Sequence, residues 1–285
     1  MTETALTDND EFRFVSLLAL ELENGDISLP SLPDVVLKIR KLLESDNCTF
    51  DLISQVVSVD PVLVSRLFVF ANSAYYNRAN IKAETLDAAI SRLGFEVVRN
   101  TAMSLAMKQL YKTDTRDDVA RHVRAVWSRG VKLSCMAYSI ARTQGQLNHE
   151  TAYLCGLMHD VGKLYILTKA EDFPEFLGDP EKLESVMQEW NPQVSKSIVE
   201  SWGFPDEVVE STDPVTYAHP DTDAEATLID VIIAADMLLE LGDEEPDFDI
   251  TAHLSCIRLD LDAEKIAIVK ARYETKLATV QQSLA

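Results

Sequence analysis

Glycine is scarce in this sequence, at nine of 285 residues. That is about 3%, under half of the usual ~7%, so glycine-rich phosphate-binding loops and β architectures with many turns are disfavoured. No uncharged apolar run approaches the ~18 residues of a membrane span, and the first ten residues lack the basic start and apolar stretch of a signal peptide. We therefore expect a cytoplasmic protein that does not enter a membrane.

Cysteine pairs at metal-binding spacing are also missing. The four cysteines are Cys48, Cys135, Cys155 and Cys256, and no two of them form a CxxC pair or a zinc-finger spacing. We expect reduced, partly buried thiols. The sequence contains neither a GxSxG nucleophile motif nor a GxxxxGK[ST] loop, so a serine nucleophile and P-loop nucleotide hydrolysis are both unsupported.

Positive charge is in short supply and negative charge is unevenly spread. The chain has 26 Lys and Arg against 47 Asp and Glu, a net charge of −21, which disfavours general attraction to nucleic acid or anionic membranes. Residues 171–250 hold 23 acidic side chains and only Lys182 and Lys196 as basic ones, so this segment alone carries −21. We interpret it as a solvated face, with a steering surface for a basic partner as the alternative.

Helical periodicity covers almost the whole chain, and no convincing period-two alternation occurs. The pattern predicts an all-α fold. Asp60 caps a helix that begins at Pro61, and Gly94 closes a short helix in a left-handed conformation. The remaining helices are predicted at 33–44, 85–93, 95–111, 117–142, 150–158, 161–168, 181–189, 191–202, 224–241 and 262–283.

A polar segment divides the predicted helices into two subdomains. We expect a frayed N-terminus over residues 1–12, an N-terminal helical subdomain over 13–112, a second helical subdomain over 113–241 and a C-terminal helical extension over 242–285. The boundary between the bundles is the polar hexapeptide at 112–117.

The sharpest local signal is an adjacent histidine and aspartate, His159 and Asp160, between apolar flanks in residues 156–164. An imidazole nitrogen and a carboxylate oxygen in this arrangement could both reach one divalent cation. Two ligands do not make a hydrolytic site, which needs further ligands and an open position for water. The structural alternative is a histidine bonded within the core and an aspartate that caps the next helix.

The flanks of this pair resemble the central motif of the HD superfamily of metal-dependent phosphohydrolases. Over about residues 28–240 the chain further resembles the HDOD domain, the HD-related output domain of bacterial signalling proteins. The motifs that carry this resemblance are Leu29-Pro30-Ser31-Leu32-Pro33, Asp60-Pro61, Asn72-Ser73-Ala74-Tyr75-Tyr76, Ala88-Ala89-Ile90-Ser91-Arg92-Leu93-Gly94 and Trp202-Gly203-Phe204-Pro205.

The resemblance implies a metal site from which this sequence departs. Arg129 stands where active HD enzymes have their first histidine, and His122 is seven residues away, about 10 Å along a helix. Asn191 occupies a place where related sequences often carry another histidine, whereas Asp236 matches the family's late aspartate. His219 lies in a region where members often have one or two histidines.

Two hypotheses follow from this departure. The first is a non-catalytic signalling module that binds signalling or regulatory proteins, needs no cofactor and has a degraded metal site in which Arg129 pairs with Asp160 or Asp236. The second is a metal-dependent phosphohydrolase that binds Fe, Mn, Ni or Zn through His159, Asp160 and Asp236, with His219 as a further candidate ligand.

Other residues of the motifs receive structural interpretations. Asn72 and Ser73 are read as helix terminators and caps. Lys163 is read as a residue near a helix C-terminus that complements the helix dipole rather than a phosphate contact. The resemblance also implies a link to cyclic-dinucleotide signalling as an open alternative, although the sequence contains no recognisable binding motif for such a ligand. With 285 residues we expect a stand-alone HDOD protein without a receiver domain.

Overall fold

A computed structural model of the protein describes residues 3–27, 29, 32–45, 48–111, 117–221, 223–241 and 249–284. No strand occurs in these ranges, and the predicted all-α class is confirmed. The helices are α1 (Glu3–Asn24), α2 (Asp34–Leu43), α3 (Phe50–Ser58), α4 (Pro61–Asn72), α5 (Leu86–Leu93), α6 (Phe95–Leu110), α7 (Asp117–Gln144), α8 (His149–Met158), α9 (Val161–Ala170), α10 (Pro174–Leu177), α11 (Pro180–Ser201), α12 (Asp206–Glu210), α13 (Pro214–Tyr217), α14 (Leu228–Leu241), α15 (Leu254–Arg258) and α16 (Ala263–Leu284).

Helix ends follow the signals in the sequence. The Asp60 carboxylate accepts hydrogen bonds from the backbone N–H groups of Val62 (2.9 Å) and Leu63 (3.0 Å), with Pro61 at the first helical position. Gly94 ends α5 and also precedes the first residue of α6. Its φ of 82° is positive as predicted, but its ψ of 160° is extended rather than left-handed helical, a region that is essentially open to glycine alone.

Proline is a weaker break in this fold than the sequence indicated. We predicted separate helices on the two sides of Pro192, yet α11 continues through it. Proline removes one backbone hydrogen bond, but the buried side chains on both sides, among them Val186, Val194 and Ile198, form one apolar face along the helix. Continuous burial of this face outweighs the lost bond. The structure also has short helices that the sequence did not predict, including α3, α10, α12 and α15.

Helices α2 to α6 pack on one another as the first bundle, and α7 is the central helix of the second, against α8, α9, α14 and α16. Helix α1 packs mainly against α10 and α11 of the second bundle. Phe14 is buried and its ring stacks on Phe176, with Phe173 edge-on. Residues 13–24 therefore pack with the second bundle, which differs from the predicted 13–112 unit. Glu3 already lies in α1, where we expected a frayed terminus over 1–12, and residues 112–116 of the predicted boundary fall outside the described residues.

Helix α16 joins the two bundles by packing on both α4 and α7. At its centre Lys276 is only 3% exposed. The Lys276 ammonium donates a hydrogen bond to the Tyr76 hydroxyl (3.0 Å) and lies 3.9 Å from the centre of the Tyr138 ring. Glu150 lines the same pocket, where its carboxylate accepts from the Asn100 amide at 2.8 Å. We call these five residues the Lys276 pocket.

In the part of the chain that the structure describes, no helix is both long enough and apolar enough to cross a membrane.

Candidate functional site

His159 and Asp160 occupy the tight turn between α8 and α9. His159 follows the last residue of α8, and Asp160 precedes the first residue of α9. The His159 Nδ1 atom is 3.1 Å from the carbonyl oxygen of Ser211. A carbonyl can only accept, so Nδ1 carries the proton in this contact. The Asp160 side chain is 2% exposed, and its charge needs partners inside the protein.

Arg129 supplies the main partner from the middle of α7. Its Nη1 donates to Asp160 Oδ2 at 2.9 Å, and its Nη2 donates to Asp236 Oδ1 on α14. The guanidinium thus bridges the two carboxylates, which is the contact that we predicted from the sequence. Arg129 and Asp236 are 33% and 31% exposed, so the bridge is buried at Asp160 and reaches solvent at its other end.

Asn191 holds the turn from the side of α11. Its Nδ2 donates to Asp160 Oδ1 (3.3 Å) and to the His159 carbonyl (3.2 Å), and its Oδ1 accepts from the Lys163 backbone N–H at 3.1 Å. Ser195, one turn further along α11, donates to the His159 carbonyl at 3.0 Å and accepts from the Gly162 N–H at 2.8 Å. Asn191, at the place of a family histidine, therefore acts here as a hydrogen-bonding strut.

Gly162 allows this close approach of α9 and α11. A Cβ atom at this position would lie 2.7 Å from both the Asn191 carbonyl oxygen and the Ser195 nitrogen. Real Cβ contacts are essentially never that short, so a larger residue would push the two helices apart. The glycine of the HD motif therefore has a packing function that spacing alone could not show.

Our interpretation of Lys163 as a complement to a helix dipole is wrong. It lies in the first turn of α9, where a positive charge is unfavourable with respect to the dipole. Its ammonium is instead 3.1 Å from Asp160 Oδ1. We refer to Arg129, Asp160, Lys163, Asn191 and Asp236 as the Arg129 cluster.

The charges of the cluster shift its pKa values. Burial by itself raises the pKa of Asp160, but the positive charges of His159, Lys163 and Arg129 outweigh burial and hold this pKa below its ordinary value. Burial likewise opposes the charged form of Arg129, yet Asp160 and Asp236 raise its pKa further. Asp160 and Arg129 are therefore both charged at neutral pH.

The residues present do not fit a divalent metal. The two carboxylates that would face the ion are both bonded to the Arg129 guanidinium, which cannot ligate a cation and repels one. Within the described ranges, no three His, Cys, Asp or Glu side chains come together as a metal site. His219 is exposed, its ring accepts from the Asp221 N–H and its carbonyl accepts from Arg258 at 3.0 Å.

The motif residues of the first bundle have local functions. Asn72 pairs with the backbone of Ala83 in both directions, donating to its carbonyl (3.2 Å) and accepting from its N–H (2.7 Å). Ser73 caps α4 and donates to the Phe70 carbonyl at 2.7 Å. These bonds fix the loop that carries Tyr76 into the Lys276 pocket.

Comparison with protein-family models finds the HDOD domain over residues 29–219. The chain belongs to the HDOD family. The matched segment includes Arg129, Asp160 and Asn191, whereas Asp236 and Lys276 lie beyond it. The helical bundles described above are thus an HDOD fold with additional helices on both sides of the matched segment.

Solved structures share this HDOD fold at low sequence identity. A protein from Shewanella amazonensis named "Putative metal-dependent phosphohydrolase" is 24% identical, with 95% of this chain and 99% of that chain covered and a TM-score of 0.77. An HDOD domain protein of unknown function from Geobacter sulfurreducens is 22% identical, with 94% and 97% covered and a TM-score of 0.67. At these identities the likeness shows the fold alone.

A curated relative, an uncharacterized protein of Treponema pallidum, is 22% identical over 94% of this chain. The chain spans about half the length of that relative, 51%.

Proposed function

We propose that this HDOD chain is a non-catalytic signal-transduction or regulatory module that acts by binding other proteins. The observation that carries the proposal is the bridge from Arg129 to Asp160 and Asp236. It places a fixed positive charge between the two carboxylates that a catalytic metal would need.

The chemistry of arginine explains why a metal ion cannot easily take the place of the Arg129 guanidinium. A guanidinium stays protonated at any working pH. It therefore cannot lose a proton and bind a metal ion, as a histidine imidazole can. Loss of the metal also removes the means of activating water. Membership of the HDOD family supports the signalling class, and binding of a signalling or regulatory protein is the output left to a module without a catalytic centre.

The alternative is a metal-dependent phosphohydrolase with the ligands His159, Asp160 and Asp236. Its support is the retained His-Asp pair and the name of the Shewanella amazonensis protein of the same fold. It requires Arg129 to leave both carboxylates and His159 to face the ion.

The deciding measurement is the metal content of the full chain purified without chelator and then offered Fe, Mn, Ni or Zn. We expect no stoichiometric metal in the wild type and no change in Asp160→Ala. The double variant Arg129→His/Asn191→His adds two imidazoles beside Asp160, and we expect it to gain metal. An Arg129→Lys variant is the matched control, because it keeps the charge and should stay free of metal.

Stoichiometric metal in the wild type, together with phosphatase activity that disappears in Asp160→Ala, would establish the alternative. A wild type without metal and with partners recovered by affinity capture supports the non-catalytic module.

A further inference from the structure

Exposed apolar side chains are concentrated on the helical hairpin of α3 and α4. Leu52, Val59 and Val62 of this hairpin are among the large hydrophobic residues that the described part of the chain leaves exposed. Leu52 and Val59 are about two helical turns apart and so lie on the same side of α3, with the half-buried Val56 between them. Val62 follows in the first turn of α4. We call Leu52, Val56, Val59 and Val62 the α3–α4 face.

The hairpin does not need the most exposed of these side chains for its own core. Ile53 and Val57 of α3 and Leu63 of α4 are buried on the opposite side and attach the hairpin to the first bundle. Val59 is 72% exposed and Val62 51%, so more than half of each residue's surface faces water. Valine is also a poor helix former. Neither core packing nor helix propensity therefore explains valine at these two positions.

The α3–α4 face belongs to a stretch of chain that is almost free of charge. In residues 52–65 the one charged residue is Asp60, and its carboxylate caps α4. In the chain as a whole, 26% of the residues are charged. Depletion of charged residues together with exposed apolar side chains is typical of the central part of a protein–protein interface.

The distribution of charge in the chain favours a second copy of this chain as the partner. Residues 34–110, which contain α2 to α6, have nine basic and eight acidic side chains, whereas residues 171–250 carry a net charge of −21. Helix α3 packs on α2, α4 and α5 of the first bundle, and the acidic segment contains α10 to α14 of the second. Two copies that meet through the α3–α4 face join nearly neutral bundles and keep their acidic segments apart, so like-charge repulsion is smallest in this arrangement.

We propose that two copies of this chain form a dimer through their α3–α4 faces, related by a twofold axis. An apolar surface without charge is complementary to itself, which is what a twofold interface requires, and twofold dimers are the commonest oligomers of soluble proteins. The inference goes beyond the proposed function and does not rest on it, because the Arg129 cluster belongs to the second bundle and takes no part in the interface.

Sedimentation equilibrium of the full chain, from about 1 to about 100 µM, measures this association. We expect the wild type to reach twice the chain mass of 31.8 kDa within that range. Because the net charge of −21 repels a second copy, the dissociation constant of the dimer should fall when the salt concentration rises from about 50 to about 500 mM. An interface between oppositely charged surfaces would instead weaken with salt.

The variant Val59→Asp/Val62→Asp should raise the dissociation constant by about tenfold or more, because its carboxylates would lose water at the interface and face their own copies there. Val59→Ser/Val62→Ser removes the apolar surface without adding charge and should weaken the dimer by a smaller factor. The matched control is Ile81→Asp/Val215→Asp, which adds the same charge at residues that are 66% and 86% exposed outside the face. We expect the control to leave the dissociation constant unchanged, and near-UV circular dichroism verifies that each variant is folded.

Loss of the dimer in both variants of the face, together with its retention in the control, supports the proposal. The proposal is overturned if the wild type remains a monomer at about 100 µM, if salt weakens the association, or if Val59→Asp/Val62→Asp changes the dissociation constant no more than the control does. A monomeric wild type would leave the α3–α4 face to a different protein. None of these outcomes depends on the metal content, so they are independent of the test of the proposed function.

Discussion

Two buried or half-buried cations hold this HDOD fold together in different ways. Arg129 meets two carboxylates directly, through a planar guanidinium with several donors, and its cluster reaches solvent at Asp236. Lys276 is almost completely buried, and its partners are a tyrosine hydroxyl and the face of the Tyr138 ring, with Glu150 as the counter-charge in the same pocket.

The difference lies in what remains when each cation is removed. At the Arg129 cluster, Asp236 can take up water, and Asp160 keeps Lys163 and Asn191 as partners. In the Lys276 pocket, Glu150 is 5% exposed and keeps the neutral Asn100 amide. Removal of a cation costs little stability when the carboxylates that it leaves behind keep other partners or reach water. Removal costs more when a buried carboxylate is left uncompensated, because that charge has lost its hydration.

The largest effect is expected for Lys276→Met, which keeps the length of the side chain and removes the charge. Because it leaves Glu150 buried without its counter-charge, we expect the free energy of unfolding to fall by about 3 kcal/mol in urea denaturation. Lys276→Met/Glu150→Gln should recover at least half of this loss. Arg272→Met, on the exposed face of α16, should stay within ~0.5 kcal/mol of the wild type. Equal losses in the single and double variants would refute the role of Glu150.

A smaller effect is expected for Arg129→Met. Removal of the guanidinium leaves Asp160 with two partners and lets Asp236 hydrate, so the free energy of unfolding should fall by about 1–2 kcal/mol. A loss as large as that of Lys276→Met would erase the contrast between the two sites, and it would show that Asp160 depends on Arg129 alone. The same urea denaturation series measures both variants.

The smallest effects concern pH, where the two sites should respond at opposite ends of the scale. The pKa of Asp160 is depressed in the folded protein, so its stabilisation is present above the unfolded value of about 3.9 and is lost as pH falls through the lower folded pKa. Arg129→Met should therefore move the acid-unfolding midpoint upward by about half a pH unit.

For Lys276, burial lowers the pKa, but Glu150 together with Tyr138, Tyr153 and Cys135 outweighs burial, and the folded pKa lies above the ordinary value. Its stabilisation is present below about pH 10.4 and is lost as pH rises through the folded pKa. Arg129→Met should leave this alkaline limb unchanged. Circular dichroism across pH, with both variants, separates the two limbs.

The contact between Arg129 and the carboxylates could be predicted from sequence because each partner belongs to a motif with a fixed order along the chain. Lys163 was misread because we related it to a helix C-terminus, whereas it lies in the first turn of α9. Ser195 was missed because its bond depends on the close crossing of α9 and α11 at Gly162. Lys276 gave no signal, since its tyrosine partner is 200 residues away. The packing of α1 was missed because an apolar stripe does not specify which bundle it covers.

Local rules predicted the positive φ of Gly94, the Asp60 cap and most of the long helices, because these features do not depend on tertiary contacts. Pro192 marks the limit of such rules. Its helix is continuous because both halves bury side chains in the same core, which a window of sequence cannot reveal.

The Lys276 pocket shows that the cooperative folding unit extends beyond the segment that the HDOD family model matches. The HDOD match ends at residue 219, but the charge that compensates Glu150 comes from α16, and the second carboxylate of the Arg129 bridge comes from α14. A version of this protein cut at the family boundary would lose the Lys276 charge beside Glu150, the α16 side chains that cover this pocket and the Asp236 end of the Arg129 bridge. Transplanting this module into another protein therefore requires the chain through residue 284, and the limits of homology are a poor guide to where it can be cut.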